Sequence, residues 1–173
     1  FLPDAVFLCP NAPEVCSINP QGYQWFDLTT EKEEVILEKS LIAEEKLNTF
    51  LDQVFDNLQL ESSNLALVGF SQGCMMSIPV GLKREKKINC LIGYSGKVIN
   101  QKHLSNNINS KPKFFLMHGD KDTIVPPTHL LEAKEYLKKC GINAKTKLFK
   151  NCEHKIPVEG SSLGLGFLKK NLL

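Results

Sequence analysis

A short apolar run that leads directly into a glycine-flanked serine limits the fold of this chain more than any other feature of its sequence. Residues 65–68 are four consecutive apolar residues, and the motif Gly-Phe-Ser-Gln-Gly follows at residues 69–73. Residues 74–82 are again mostly apolar. This order predicts a buried strand, a sharp turn that carries Ser71, and then a helix.

Further short apolar runs alternate with helical patterns along the chain, which predicts an α/β fold with a mostly parallel sheet covered by helices on both faces. The length of 173 residues predicts a single domain, residues 1–173. The predicted strands are residues 5–9, 65–68, 90–94, 113–117 and 146–149, and a polar connection is predicted at residues 100–111. The predicted helices are a long one that starts with a capping box at residues 30–33 and includes residues 50–58, and shorter ones at residues 74–82, 128–140 and 157–172.

The composition argues against several classes of partner. Hydrophobic residues make up 42% of the chain, charged residues 23%, and the formal charge is +2, so nothing suggests a nucleic acid or an anionic membrane. No apolar stretch approaches the roughly 18 residues of a membrane span, and the first ten residues lack a secretory pattern. The six cysteines include no Cys-x-x-Cys pair, which is typical of reduced thiols. We expect a soluble cytoplasmic protein without stable membrane insertion, and a homodimer is left open.

Ser71 is a candidate nucleophile. A serine hydroxyl attacks a carbonyl group only when a base takes its proton, and the reaction creates an oxyanion that needs hydrogen-bond donors aimed at it. The Gly-x-Ser-x-Gly turn exposes the serine oxygen and directs the backbone N–H of Gln72 toward the oxyanion. Such a motif alone also occurs in ordinary glycine-rich turns, but the flanking strand and helix favour the catalytic interpretation.

The base is expected downstream of Ser71, because this type of turn is followed by its acid and then by its histidine. His154 follows the last predicted strand and is the predicted base, whereas His103 and His129 lie away from the ends of strands. His118 also follows a strand, but it precedes the nearby carboxylates and breaks the expected order. We expect His118 to form hydrogen bonds within its turn.

Two aspartates, Asp120 and Asp122, follow the predicted strand at residues 113–117. One should accept a hydrogen bond from the imidazole, and the other should cap N–H groups of the turn. Spacing alone does not choose between them. A metal site made of these carboxylates and His118 is disfavoured, because no helical metal-binding pair is present and the serine motif would go unexplained.

Together these motifs resemble those of the phospholipase/carboxylesterase family, which includes the acyl-protein thioesterases. The similarity lies in Gly-Phe-Ser-Gln-Gly at residues 69–73, His-Gly-Asp-Lys-Asp at residues 118–122, Pro-Asn-Ala-Pro at residues 10–13, Trp-Phe at residues 25–26 and the late His154. It covers nearly the whole chain. The expected fold is therefore that of an α/β-hydrolase.

The resemblance implies a role for each candidate. Asp122 corresponds to the acid of the triad, and Asp120 to a turn residue. A small-molecule ester or acyl thioester would be hydrolysed without a metal or cofactor. Trp25 would lie near the acyl group, although a packed loop aromatic explains Trp25 equally well.

The chain departs from this family before the serine motif. Relatives carry an upstream strand whose His-Gly loop supplies a second oxyanion donor, and no such segment precedes Ala5. The resemblance thus predicts a fold that lacks its N-terminal strands within these residues and holds one identified oxyanion donor, Gln72. The alternative to a serine hydrolase is a truncated, non-catalytic remnant that at most binds acyl ligands.

Overall fold

The computed structural model describes residues 2–27, 29 and 32–172, and these residues form two compact units. The first unit ends at Gln59, and the second begins at Leu60. The prediction of a single domain from chain length stays a prediction.

A β-hairpin and a long helix make up the first unit. Strands β1 (Glu14–Cys16) and β2 (Asn19–Gln24) pair in antiparallel orientation. Helix α1 (Glu33–Leu58) buries Ala43, Leu47 and Leu51, which follow one another at intervals of four and so share one face. Thr30 and Glu31, the first residues of the predicted capping box, lie outside the described residues.

A four-stranded parallel sheet forms the centre of the second unit. Its strands are β3 (Ala66–Phe70), β4 (Cys90–Tyr94), β5 (Lys113–Gly119) and β6 (Lys145–Phe149), and they lie in chain order across the sheet. All five residues of β4 are buried. Because the strands are parallel, their carboxyl ends meet at one edge, and the loops that follow them are neighbours there.

Helices flank both faces of this sheet. They are α2 (Gln72–Lys83), α3 (Gln101–Ser105), α4 (Thr128–Lys139) and α5 (Val158–Leu172). Gly93 of β4 faces the Cys74 side chain of α2, whereas its neighbour Tyr94 faces α5 and donates a hydrogen bond to the Gly160 carbonyl at 3.0 Å. Successive residues of a strand point to opposite faces, so α2 and α5 cover opposite sides. The predicted α/β fold, a mostly parallel sheet with helices on both faces, is confirmed.

The predicted strand at residues 5–9 is wrong. These residues form no regular element, and Val6 and Phe7 are 67% and 63% exposed. An apolar run becomes a buried strand only where a neighbour satisfies its backbone hydrogen bonds, and no described strand pairs with this one. In the described sheet, β3 accordingly pairs with β4 alone.

Two segments in which the sequence predicts neither a strand nor a helix contain regular structure. The hairpin β1–β2 lies in the proline-rich segment before Trp25. Strand β2 contains a proline and a glycine, which are uncommon inside strands, so the local sequence does not indicate this strand. Helix α3 lies in the polar connection at residues 100–111 and buries Leu104. Both elements depend on contacts that a local polarity pattern does not contain.

No helix in the described part of the chain is long and apolar enough to cross a membrane. All six cysteines are free thiols, and three of them, Cys74, Cys90 and Cys152, are buried.

Candidate active site

Ser71 occupies the sharp turn between β3, which ends at Phe70, and α2, which begins at Gln72. Its backbone angles are φ 51° and ψ −117°, a conformation that L residues rarely adopt and that functional sites retain. A side chain at Gly69 would collide with the backbone of Gly73 and Cys74, so the strand and the helix approach closely only because residue 69 is glycine. The Ser71 N–H donates to the Tyr94 carbonyl at 2.9 Å, which fixes the turn to the neighbouring strand.

His154 lies between Ser71 and Asp122. Its Nε2 is 3.0 Å from Ser71 Oγ, and its Nδ1 is 2.8 Å from Asp122 Oδ2. An ionised carboxylate can only accept a hydrogen bond, so it holds the proton on Nδ1 and leaves Nε2 free to accept the serine proton. The structure thus brings together the three residues that the sequence suggested, although 83 residues separate the serine from the histidine.

The Asp122 carboxylate is buried and surrounded by donors. Oδ1 accepts from the backbone N–H of Ile124 at 3.0 Å and of Val125 at 2.9 Å, and Oδ2 accepts from His154. Burial raises the pKa of this carboxyl group, but the hydrogen bonds from His154, Val125 and Ile124 outweigh it, and the pKa lies below its ordinary value. Asp122 is therefore ionised at neutral pH.

Asp120 has a different environment in the same loop. Its Oδ1 accepts from the Cys152 N–H at 3.3 Å, and the Lys121 N–H donates to the Cys152 carbonyl at 2.9 Å. These bonds tie the loop after β5 to the loop after β6, which carries His154. This position fits a turn residue rather than a partner of the imidazole.

Two residues that the sequence did not mark as part of the site contact it. Phe70, within the serine motif, stacks at an angle on His154, with ring centroids 4.8 Å apart. His118, which was expected to bond within its turn, is buried, and its Nε2 lies 2.8 Å from the Val125 carbonyl oxygen and 3.2 Å from Asp122 Oδ2. A polar residue at the end of a strongly apolar strand is the sequence signal that marks His118.

The other predicted site residues are placed less directly. Gln72 is the first residue of α2, and the N–H groups of a first helical turn point out of the amino end of the helix, toward the side on which Ser71 lies. Trp25 directly follows β2 in the first unit, whereas Ser71 belongs to the second. The contact of Trp25 with the acyl group therefore stays a prediction.

An open cavity of about 650 Å³ lies beside His154 and Asp122. Its other walls carry mostly polar and charged side chains from the loops after β5 and β6: Asp120, Lys121, Thr123, Ile124, Glu153 and Lys155. This size is in the range of cavities that hold small ligands. Both loops that build it also supply a member of the serine–histidine–aspartate cluster.

Neither a metal nor a thiol nucleophile is indicated at this site. Among the described residues, no group of three or more histidine, cysteine, aspartate or glutamate side chains could hold a metal ion. Cys74 lies three residues after Ser71, but it is buried against Gly93 and Gly96, and burial raises the pKa of its thiol to about 12. A thiol with so high a pKa stays protonated and unreactive.

Comparison with known proteins places this chain in a family. The family model described as Phospholipase/Carboxylesterase matches residues 2–172. The chain is similar to acyl-protein thioesterase 1 of Emericella nidulans, with 27% identity over 160 residues that cover 83% of this chain and 66% of the relative. It is also similar to acyl-protein thioesterase 1 of Saccharomyces cerevisiae, with 29% identity over 96% of this chain and 78% of the relative. The chain spans 66% and 57% of the lengths of the first two curated relatives it matches.

Solved structures give the same answer for the fold. The crystal structure of esterase PE8 superimposes with a TM-score of 0.88 and 34% identity, and the alignment covers 94% of this chain and 77% of the esterase. The Arabidopsis thaliana SOBER1 F65L structure superimposes with a TM-score of 0.85 over 99% of this chain and 87% of the other, at 22% identity. Because the family model matches residues 2–172, nearly the whole chain, this chain belongs to the phospholipase/carboxylesterase family. It has the α/β-hydrolase fold.

Proposed function

We propose that this protein is a serine hydrolase that cleaves carboxylic esters or acyl thioesters through an acyl-enzyme intermediate. The observation that carries the proposal is the position of His154, whose two ring nitrogens lie within hydrogen-bond distance of Ser71 Oγ and of Asp122 Oδ2. Family membership and the names of the relatives, acyl-protein thioesterase and esterase, support the same reaction class.

In the first half of the reaction, Ser71 Oγ attacks the acyl carbonyl carbon as His154 Nε2 takes the hydroxyl proton. The carbonyl electron pair moves onto oxygen, and the backbone N–H of Gln72 donates to this oxyanion. Asp122 stabilises the imidazolium that forms. When the intermediate collapses, His154 returns the proton to the departing alcohol or thiol, and the acyl group remains on Ser71.

In the second half, a water molecule takes the place of the leaving group. His154 accepts a proton from the water, the hydroxide attacks the acyl carbon, and the bond to Ser71 breaks as the proton passes to Oγ. The products are a carboxylic acid and the restored serine.

The decisive test is hydrolysis of short-chain p-nitrophenyl esters combined with labelling by a fluorophosphonate probe. We expect the probe to add to Ser71, and Ser71→Ala to lower kcat by at least about 10⁴-fold. Ser162→Ala, which changes an exposed serine of α5, is the matched control and should keep full activity. Unchanged activity in Ser71→Ala would refute the assignment, and a native protein that neither reacts nor labels but binds acyl ligands would be the non-catalytic remnant.

Substrate class and cell compartment belong to the same proposal. Measuring kcat/KM for an ester and a thioester that share one acyl group determines which bond is preferred. Six free thiols without a disulfide among them support a reducing compartment such as the cytoplasm. Fractionation of cells that express the complete protein tests this location.

A further inference from the structure

A second histidine contacts the aspartate of the proposed triad. His118 lies near the end of β5 and is 2% exposed. Its Nε2 is 2.8 Å from the carbonyl oxygen of Val125 and 3.2 Å from Asp122 Oδ2. The proposed mechanism assigns no role to this buried imidazole.

The hydrogen on His118 can be located from its partners. A carbonyl oxygen can only accept, so Nε2 of His118 must carry the hydrogen that it shares with Val125. Burial lowers the pKa of His118, and this effect exceeds those of the Val125 carbonyl and the Asp122 carboxylate, which raise it. His118 is therefore a neutral donor, and its single N–H lies within reach of two acceptors.

These contacts connect His118 to the carboxylate through Val125. Val125 donates its N–H to Asp122 Oδ1 at 2.9 Å and receives the His118 hydrogen bond at its carbonyl oxygen. Asp122 Oδ2 faces His118 on one side and His154 on the other, at 3.2 and 2.8 Å. The carboxylate is held directly by two backbone donors and by His154, and the His118 hydrogen bond holds Val125, one of those donors, in place.

We propose that His118 is a positioning residue, whose Nε2–H orients Asp122 and the loop through Val125 so that the carboxylate holds the His154 imidazole in line with Ser71. This inference rests on the proposed serine hydrolase mechanism. His118 acts through Asp122 and touches neither the substrate nor the reacting atoms.

A pair of amide substitutions tests the donor. The side-chain nitrogen of glutamine reaches about as far as Nε2 of histidine, whereas that of asparagine ends near the position of Nδ1. We expect His118→Gln to keep kcat close to that of the native protein. We expect His118→Asn to lower kcat by about 2- to 10-fold, the range for one lost hydrogen bond between neutral groups, with KM nearly unchanged because no substrate contact is lost.

A double substitution shows whether the effect passes through the carboxylate. In an Asp122→Asn background, a further His118→Asn change should leave the residual kcat unaltered, since the acceptor that His118 orients is gone. Additive losses in this cycle would overturn the proposal. So would equal kcat values for His118→Asn and the native protein, or a His118→Gln variant that fails to fold or is as slow as His118→Asn.

Fluorophosphonate labelling separates this inference from the proposed function. If the native protein does not label at Ser71, the serine hydrolase mechanism itself is wrong. If it labels and His118→Asn labels at the same rate, only the role of His118 is wrong. If both are right, His118→Asn labels more slowly than the native protein and than His118→Gln.

Discussion

The ring of Phe70 packs against the imidazole of His154, with centroids 4.8 Å apart and planes inclined by 43°. Phe70 directly precedes Ser71, so the same turn places both the Ser71 hydroxyl and the Phe70 ring beside His154. The packed ring therefore restricts the orientations open to the imidazole that takes the serine proton.

Replacing this ring should slow the reaction. An aromatic pair contributes about 0.5–1.5 kcal/mol beyond its buried area, so Phe70→Leu should lower kcat by about 2- to 10-fold. Phe70→Tyr keeps an aromatic face and serves as the control, with kcat near that of the native protein. Equal kcat values for Phe70→Leu and the native protein in the p-nitrophenyl ester assay would show that the contact is only packing.

The two aspartates of the loop after β5 should differ sharply when each is changed to asparagine. Asp122→Asn removes the charge that stabilises the imidazolium and disturbs its tautomer, and we expect kcat to fall by about 10⁴-fold. Asp120→Asn keeps an oxygen that accepts from the Cys152 N–H and should cost much less. If Asp120→Asn lowers kcat more than Asp122→Asn does, Asp120 rather than Asp122 is the acid.

Two glycines of α5 provide a matched test of packing against the sheet. A side chain at Gly164 would collide with the hydroxyl of Tyr94, whereas one at Gly166 would meet nothing within 4 Å. Gly166→Ala should raise the free energy of unfolding by up to about 1 kcal/mol through better helix propensity. Gly164→Ala should lower it by about 1–3 kcal/mol through overpacking. Urea denaturation measures both, and equal stabilisation of the two variants would contradict the packing of α5 on β4.

Stability should fall on acidification, and His118 should cause part of this loss. Its pKa in the folded protein lies below the ordinary value of 6.5 because of burial, so the unfolded chain binds a proton more readily. The stability that neutral His118 contributes is therefore present above about pH 6.5 and is lost as the pH falls toward the folded value. Asp122, Val125, His129 and His154 surround this imidazole and modify its titration.

His118→Gln cannot titrate and should flatten this part of the stability curve. We would measure the free energy of unfolding at about pH 7.5 and at about pH 5.5, on either side of the ordinary histidine range. The native protein should lose more stability between these points than the variant. At still lower pH, both proteins should lose the stability that ionised Asp122 contributes. The pKa of Asp122 is lowered in the folded protein, so this contribution disappears only as the pH falls through that lowered pKa. Identical curves would mean that His118 is as easily protonated in the folded protein as in the unfolded one.

The serine turn and most of the second unit were determined by the local sequence. Strand β4 has the predicted bounds, Cys90–Tyr94, and helix α4 ends one residue before its prediction. Such elements follow from the spacing of apolar residues and from glycines such as Gly69, which act over a few residues. The order of the motifs was also sufficient to select Ser71 and His154 as candidates, whereas the choice of Asp122 over Asp120 came from the family resemblance.

Only the tertiary structure decided which residues meet. The hydroxyl of Ser71 reaches His154 across 83 residues of sequence, because parallel strands bring the loops at their carboxyl ends together. The same edge places His118 and Phe70 against the site. The sequence marks His118 as a polar residue at the end of an apolar strand, but it does not specify the contact of either residue with the site. Residues 5–9 show the converse, since an apolar run that reads as a strand remains irregular and exposed. A strand needs a partner for its backbone hydrogen bonds, and local sequence specifies the propensity of a segment but not its partner.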